Sequence, residues 1–262
     1  MKCYRGTAHQ IVLQEKVDAL ADWTRSTPGA CQTGRLIGTD NPDRLGWETV
    51  FGHLEEDGVF GMRMIPAADV PAIEARLEAR DCRFDTWNVF QAEAPAIRSA
   101  LAQLDLTLPP GFVPLDRSLR QEASTIGRVQ DFLVENGIAP FSGAMLAGLH
   151  GRSALTVILT PGGDIAATAY AYFPHNRHSP HSACAWGGLV AVAPSHRGRR
   201  LGLIVNAMML LEAVDDLGAA SVHELVSTSN EASRRMVRRC GLVHHPELVC
   251  GVATRGSGRF TT

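Results

Sequence analysis

The sequence predicts an α/β (α+β) fold, a mixed and mainly antiparallel sheet flanked by helices, on three observations. SALTVILT (153–160) and IAATAYAYF (165–173) flank the turn Pro161-Gly162-Gly163-Asp164, the pattern of a β-hairpin. ACAWGGLVAVA (183–193), a long apolar helix and SVHELV (221–226) then run strand–helix–strand. Finally, Asn230 caps a helix that ends at Cys240-Gly241, ahead of strand-like LVHHPELVCGVA (242–253).

The remaining elements follow in chain order. Leu13, Val17 and Leu20 recur at helical spacing within 8–25, and Thr27-Pro28-Gly29 stops the pattern. RLIGTDNPDRLG (35–46) reads as a loop, VFGMRMI (59–65) as a strand. Asp69 and Pro71 open a helix through about Arg80, and FDTWNVF (84–90) alternates as a strand does. Ile126, Val129, Phe132 and Leu133 mark a helix over 124–136, and SGAMLAGLHG (142–151) a shorter one. The apolar helix spans about Arg199 to Leu217, with Gly218 as its stop. His244-His245-Pro246 reads as a surface hairpin turn. Trp47, Trp87 and Trp186 are assigned to core or interface.

The proline-rich LDLTLPPGFVP (104–114) sets an expected boundary: an N-terminal α/β region over 1–107 and a second domain over 108–262. EARLEARDCRFDTWNVF faintly echoes EASRRMVRRCGLVHHPELV, so the first region reads either as a degenerate half-copy of the second or as an unrelated cap.

With 45% hydrophobic residues, 20% charged and a net charge of −2, composition gives no sign of a nucleic-acid or membrane partner. MKCYRGTAHQ is polar, and the six cysteines are scattered without a CxxC. The expectation is a cytoplasmic protein with reduced thiols.

Against that neutral background, VAVAPSHRGRRLG (190–202) gathers Arg197, Arg199 and Arg200 where a helix begins. Bases are disfavoured there unless an anion is bound, because the helix N-terminus is itself positive. Gly198 and Gly202 let the backbone come close to a ligand. The plainer alternative is a solvated basic turn paired with nearby carboxylates.

This run resembles the acyl-CoA-binding motif of the GNAT N-acetyltransferase superfamily, in which a strand ending V-x-V-x-P leads into Q/R-x-x-G-x-G/A and a helix. Arg197 stands at the Q/R position and Gly202 at the last small position, while Arg200 replaces the middle glycine. Asn230 to Met236 and Cys240-Gly241-Leu242 resemble the family's later strand-end Asn and helix. The resemblance covers roughly 108–262 and implies the acyl-CoA N-acyltransferase type of fold. It further implies acetyl-CoA or a related acyl-CoA as donor. Backbone of Val190, Ala191 and Val192 would hold the pantetheine arm, Arg197, Gly198, Arg199, Arg200, Leu201 and Gly202 the pyrophosphate, and Asn230 would belong to the same site. Two family positions differ: Val237 stands where a thiol-protonating Tyr is common, and Trp186 where some members have a catalytic Glu.

Glu224 is therefore the preferred base, acting directly or through water, against the plainer reading of a strand residue facing solvent. His223, Tyr170, Tyr172 and the histidine loop are the other candidates. The expected acceptor is a small-molecule amine, and a homodimer is compatible with the sequence. Without a phosphate turn before residue 108, no second coenzyme A site is expected. A non-catalytic acyl-CoA sensor or assembly protein is the alternative. His175, His178, His181 and Cys184 recur every three residues, but Pro174 and Pro180 break helical alignment and no familiar zinc spacing results, so no metal is expected.

Overall fold

The computed structural model describes residues 3–256. The first helical pattern divides at Leu20 into α1 (Ala8–Ala19) and α2 (Ala21–Ser26). Thr7 and Gln10 close a capping box at the start of α1. The strand β1 (Ala30–Gln32) follows, and the segment expected to be a loop holds a strand, β2 (Ile37–Thr39), and a one-turn helix, α3 (Pro42–Leu45), capped by Asn41. Then come α4 (Trp47–Asp57), β3 (Val59–Pro66), α5 (Val70–Glu78), β4 (Cys82–Glu93) and α6 (Ala94–Leu101). The second half comprises β5 (Val113–Pro114), α7 (Ala123–Glu135), α8 (Gly143–Leu146), β6 (Ser153–Leu159), β7 (Ile165–Tyr172) and β8 (Cys184–Val192). It closes with α9 (Leu201–Leu211), β9 (Ser221–Val226), α10 (Glu231–Arg239) and β10 (Val243–Arg255).

The strands form one ten-stranded sheet in the order β1-β2-β3-β10-β4-β9-β8-β7-β6-β5. Among the described residues, only β2/β3 and β8/β9 are parallel. The expected boundary at 107/108 does not interrupt this sheet, because β10 lies between β3 and β4. The units β3–α5–β4 and β9–α10–β10 exchange partners: β10 lies against β3, β4 against β9, and β4 and β10 run antiparallel to each other. The expected hairpin at His244 is absent. β10 continues through Pro246, with a register shift between His244 and Val249 that removes the need for a ladder N–H at the proline.

Two apolar clusters lie on opposite faces of the sheet. One gathers side chains from α4, α5, α7 and α8; the other gathers α6, α9 and α10. β7 shows how the sequence sorts them. Ala167, Ala169 and Ala171 face α9 and let it approach closely, while Tyr170 and Tyr172 join the other cluster with Phe141 and Trp186. The α9 helix ends in a π turn over Glu212–Asp216. There Arg98 bonds Asp215 and Arg117 bonds Asp216, each at 2.6 Å, which accounts for two acids at a helix C-terminus. All six cysteines are free thiols. Among the described residues no helix is long and apolar enough to cross a membrane.

Candidate functional site

Strands β8 and β9 pair in parallel only from Cys184↔Ser221 to Gly187↔Glu224. Beyond that point they separate, and the edge of Gly188–Val192 facing away from β7 carries no strand. Two features drive this divergence. β8 has a bulge, seen as a register shift against β7, with Leu189 at φ 49°. It also contains Gly187-Gly188, where side chains do not fit. A Cβ on Gly188 would lie 2.3 Å from the Trp186 indole, and one on Gly187 would lie 2.7 Å from Met209 Cε and 3.3 Å from Glu224 Cγ.

The gap opens into a cavity of about 340 Å³ that passes through the sheet. Its lining includes Trp186 to Val190, Glu224 to Val226, Ser233, Met236 and Val237 from the C-terminal half, and Arg35, Arg63 and Trp87 from the N-terminal half. Glu224 belongs to this cavity and not to the surface: it is buried, its side chain lies on the α9 face, and its Oε1 accepts from Asn206 Nδ2 at 2.9 Å. Burial pushes its carboxyl up from 4.5 to about 7, opposed by the Asn206 hydrogen bond. It is thus set to exchange a proton near neutral pH.

The other acid–base candidates are placed elsewhere. His223 points to the opposite face of β9, with Nδ1 3.3 Å from Cys184 Sγ. Burial, assisted by His175 and Arg63, drives its pKa well below the usual histidine value. Tyr170 and Tyr172 donate to the carbonyls of Met145 and Gln32. Burial raises both phenols, that of Tyr172 to about 12. The histidine loop docks on the N-terminal region instead of forming a ligand set. His175 Nδ1 meets Asp40 Oδ2 at 2.7 Å, and Asn176 Nδ2 donates to the carbonyls of Thr24, Thr27 and Ala30. Among the described residues no group of His, Cys, Asp and Glu is placed to hold a metal ion.

After β8, a short 3₁₀ turn over Pro194–His196 leads through Gly198, at φ 80°, to Arg200, which occupies the left-handed region at φ 64° and precedes α9. The backbone therefore adopts a left-handed step at the position where the motif prefers glycine, at a cost of about 1–2 kcal/mol for a side chain. The N–H groups from Gly198 to Leu203 have no acceptor among the described residues, and no side chain caps α9. A Cβ on Gly202 would meet Val192 at 3.5 Å and Met236 at 3.9 Å, ordinary contacts, so protein packing does not itself demand glycine there. The arginines divide their tasks. Arg200 bonds Asp105 through both its carboxylate and its carbonyl, Arg197 Nε reaches Val192 O at 3.4 Å, and Arg199 lies over the Phe112 ring. Among the described residues, the carboxylate pairing expected of a plain basic turn thus holds for Arg200 alone. Asn230 caps α10, accepting from Ser233 N at 3.0 Å.

Sequence reasoning missed Arg35, Arg63, Asn206 and Ser233; Trp186, expected in the core or an interface, is a buried member of the core that also lines the cavity, as does the partly buried Trp87. Only Asn206 left a signal, as a polar residue in an otherwise apolar helix.

Residues 131–242 match the acetyltransferase (GNAT) family. No curated protein sequence matches the chain. Among solved structures, a GCN5-related N-acetyltransferase from Kribbella flavida aligns over 98% of both chains, with a TM-score of 0.59 and 13% identity. A Drosophila protein aligns over 97% of this chain and 91% of its own, at 0.60 and 14%. A tandem GNAT protein from the clavulanic acid biosynthesis pathway, solved without acetyl-CoA, aligns over 93% and 89%, at 0.52 and 13%. These alignments include the region before residue 108. Residues 131–242 are accordingly similar to the GNAT acetyltransferase family, and the chain shares its fold over nearly its whole length with GCN5-related and tandem GNAT structures.

Proposed function

We propose that this protein is an acyl-CoA-dependent N-acetyltransferase that moves acetyl from acetyl-CoA to the amine of a small molecule. The observation that carries this reading is the buried Glu224 carboxyl, at about 7, in the gap between β8 and β9, next to a turn whose N–H groups are unused. The residues present fit the donor. The open edge of Gly188–Val192 offers strand-like hydrogen bonds to a pantetheine arm. The N–H groups of Gly198 to Leu203 and the guanidinium groups of Arg197 and Arg199 suit a pyrophosphate. Bound acetyl-CoA supplies a thioester, so the net reaction forms an amide at the amine nitrogen and releases coenzyme A as the thiol.

Glu224 has the task of taking a proton from the acceptor ammonium, which frees the nitrogen lone pair for attack. Asn206 fixes the position of its carboxyl by donating to Oε1. Val237 is buried in the lining and offers no proton to the departing sulfur; Ser233, on the same helix, brings a hydroxyl to the cavity. The exchange of strands between the two halves, together with the likeness to a tandem GNAT protein, supports reading the N-terminal region as a degenerate half-unit that supplies the acceptor side of the cavity.

Thiol release with an amine panel tests this reading. The base must be ionised, so kcat/KM is expected to rise with pH through about 7 and then level off. Glu224→Gln is expected to lower it roughly 100-fold and abolish that inflection. A variant with wild-type rate and profile would remove Glu224 from the mechanism. Acetyl-CoA binding without turnover of any amine would favour the sensor reading, which the missing hydroxyl at Val237 motivates.

A further inference from the structure

Arg63 is a buried cation with no carboxylate partner among the described residues, and a second guanidinium, Arg35, lies close enough to feel its charge. It is 8% exposed, lies 5.7 Å from the centre of the Trp186 ring and lines the cavity. The register shift between β10 and β3, with Met64 at φ 53°, falls beside it and re-aims its side chain. Around it are Tyr172, Cys250 and Cys31, none of which ionises at neutral pH. Burial raises the thiols, and the phenol lies at about 12. No ion pair reaches Arg63 among the described residues. Its Nε and the Trp186 Nε1 are both buried donors without acceptors, although they line the same cavity. Arg35 brings a second guanidinium to that cavity, and burial and the charge of Arg63 lower it to about 10.

A buried guanidinium is normally matched by a carboxylate, because desolvating a lone cation is costly. The diphosphate-binding turn at Gly198–Gly202 lies outside the cavity lining, so the donor does not call for these arginines. Arg63 and Trp186 lie on the sheet face opposite α9, while Glu224 lies on the α9 face, and no ion pair joins Glu224 to Arg63. Base and cation are therefore two separate stations along one cavity.

We infer that the acceptor is an amine bearing an oxyanion, a carboxylate or a phosphate, which Arg63 and the Trp186 N–H bind while the amino group reaches Glu224. This rests on the acetyltransferase reading and names the acceptor class within it. A guanidinium pairs with either oxyanion in planar, bidentate fashion, which a neutral or cationic amine cannot exploit.

The test uses the full chain, acetyl-CoA and amines in matched pairs: α-amino acids against their amides, and aminoalkyl phosphates against the corresponding amino alcohols. The anionic member of a pair is expected to show at least a tenfold higher kcat/KM, and the arm in which this occurs identifies the oxyanion. Arg63→Met is expected to raise KM for that member at least tenfold and to leave the neutral member and calorimetric acetyl-CoA affinity within twofold. Arg63→Lys should restore part of the loss. If Arg63→Met does not fold, Trp186→Phe carries the test through a smaller, roughly threefold loss confined to the anionic member. Equal or better use of neutral amines, a preference that survives Arg63→Met, or no turnover of any anionic amine while acetyl-CoA still binds would each overturn the inference. Failure to bind acetyl-CoA would instead overturn the acetyltransferase reading.

Discussion

Glu224 illustrates at the residue scale how function sets itself against stability. Its carboxyl moves from 4.5 to about 7 on burial, so folding favours the protonated form. A raised carboxyl pKa contributes stability that is present at low pH and is lost as the group ionises. The loss runs from about pH 4.5 to about pH 7 and amounts to roughly 3 kcal/mol, at about 1.4 kcal/mol for each tenfold change in the protonation equilibrium. Glu224→Gln should therefore melt higher than the wild type at pH 8 and close to it at pH 4.5, while losing turnover. Equal melting temperatures at pH 8 would contradict the buried, unpaired carboxyl. Part of this was legible: SVHELV places Glu224 in a strand next to the motif strand. Its burial was not, because an alternating pattern does not say which face of a strand is covered. Arg63 and Trp186 were less legible still. Their meaning arises from a cavity between segments more than a hundred residues apart in sequence, and VFGMRMI contains nothing to separate a buried arginine from a solvated one.

At the scale of elements, the hairpin, the apolar helix and the turn at Arg197–Gly202 were readable, because turn residues and periodicity are local signals. α4 and α6 were not, because a short apolar face such as Val50, Phe51 and Leu54, or Ala94, Ile97 and Leu101, gains its meaning only against the sheet. The segment 242–253 is strand, as its sequence suggests, but a turn was expected at His244-His245-Pro246 because Pro246 marks a bulge as readily as a turn. The π turn after α9 holds a buried pair. Arg120 Nη1 donates to both oxygens of Glu212 at 2.8 Å, and Thr156 Oγ1 donates to Oε2 at 3.1 Å. Arg120→Met would leave buried Glu212 with the exposed Arg117 guanidinium, 3.8 Å away, as its remaining ion pair, and is expected to cost about 3 kcal/mol in denaturant unfolding. The double variant Arg120→Met, Glu212→Met should recover most of that loss. A single-variant cost under about 1 kcal/mol would show the pair to be solvated, contrary to its burial.

Across the whole molecule, the strand exchange joins the two sequence halves into one cooperative unit. β4 and β10 each pair with strands of the other half, and the cavity takes side chains from both. A single calorimetric unfolding transition is expected for the full chain, and two independent transitions would contradict the shared sheet. LDLTLPPGFVP marks a real connection, but proline content does not reveal that the last strand returns across it. The proposed function stands or falls on one donor site, built on the turn at Arg197–Gly202, that binds acetyl-CoA. Isothermal titration of the full chain with acetyl-CoA tests this most directly. The predicted result is one site per chain, weakened about tenfold or more by Arg197→Glu, since a hydrogen bond to a charged group contributes about 1.5–3 kcal/mol. No binding heat, two sites per chain, or an affinity unchanged in Arg197→Glu would contradict it.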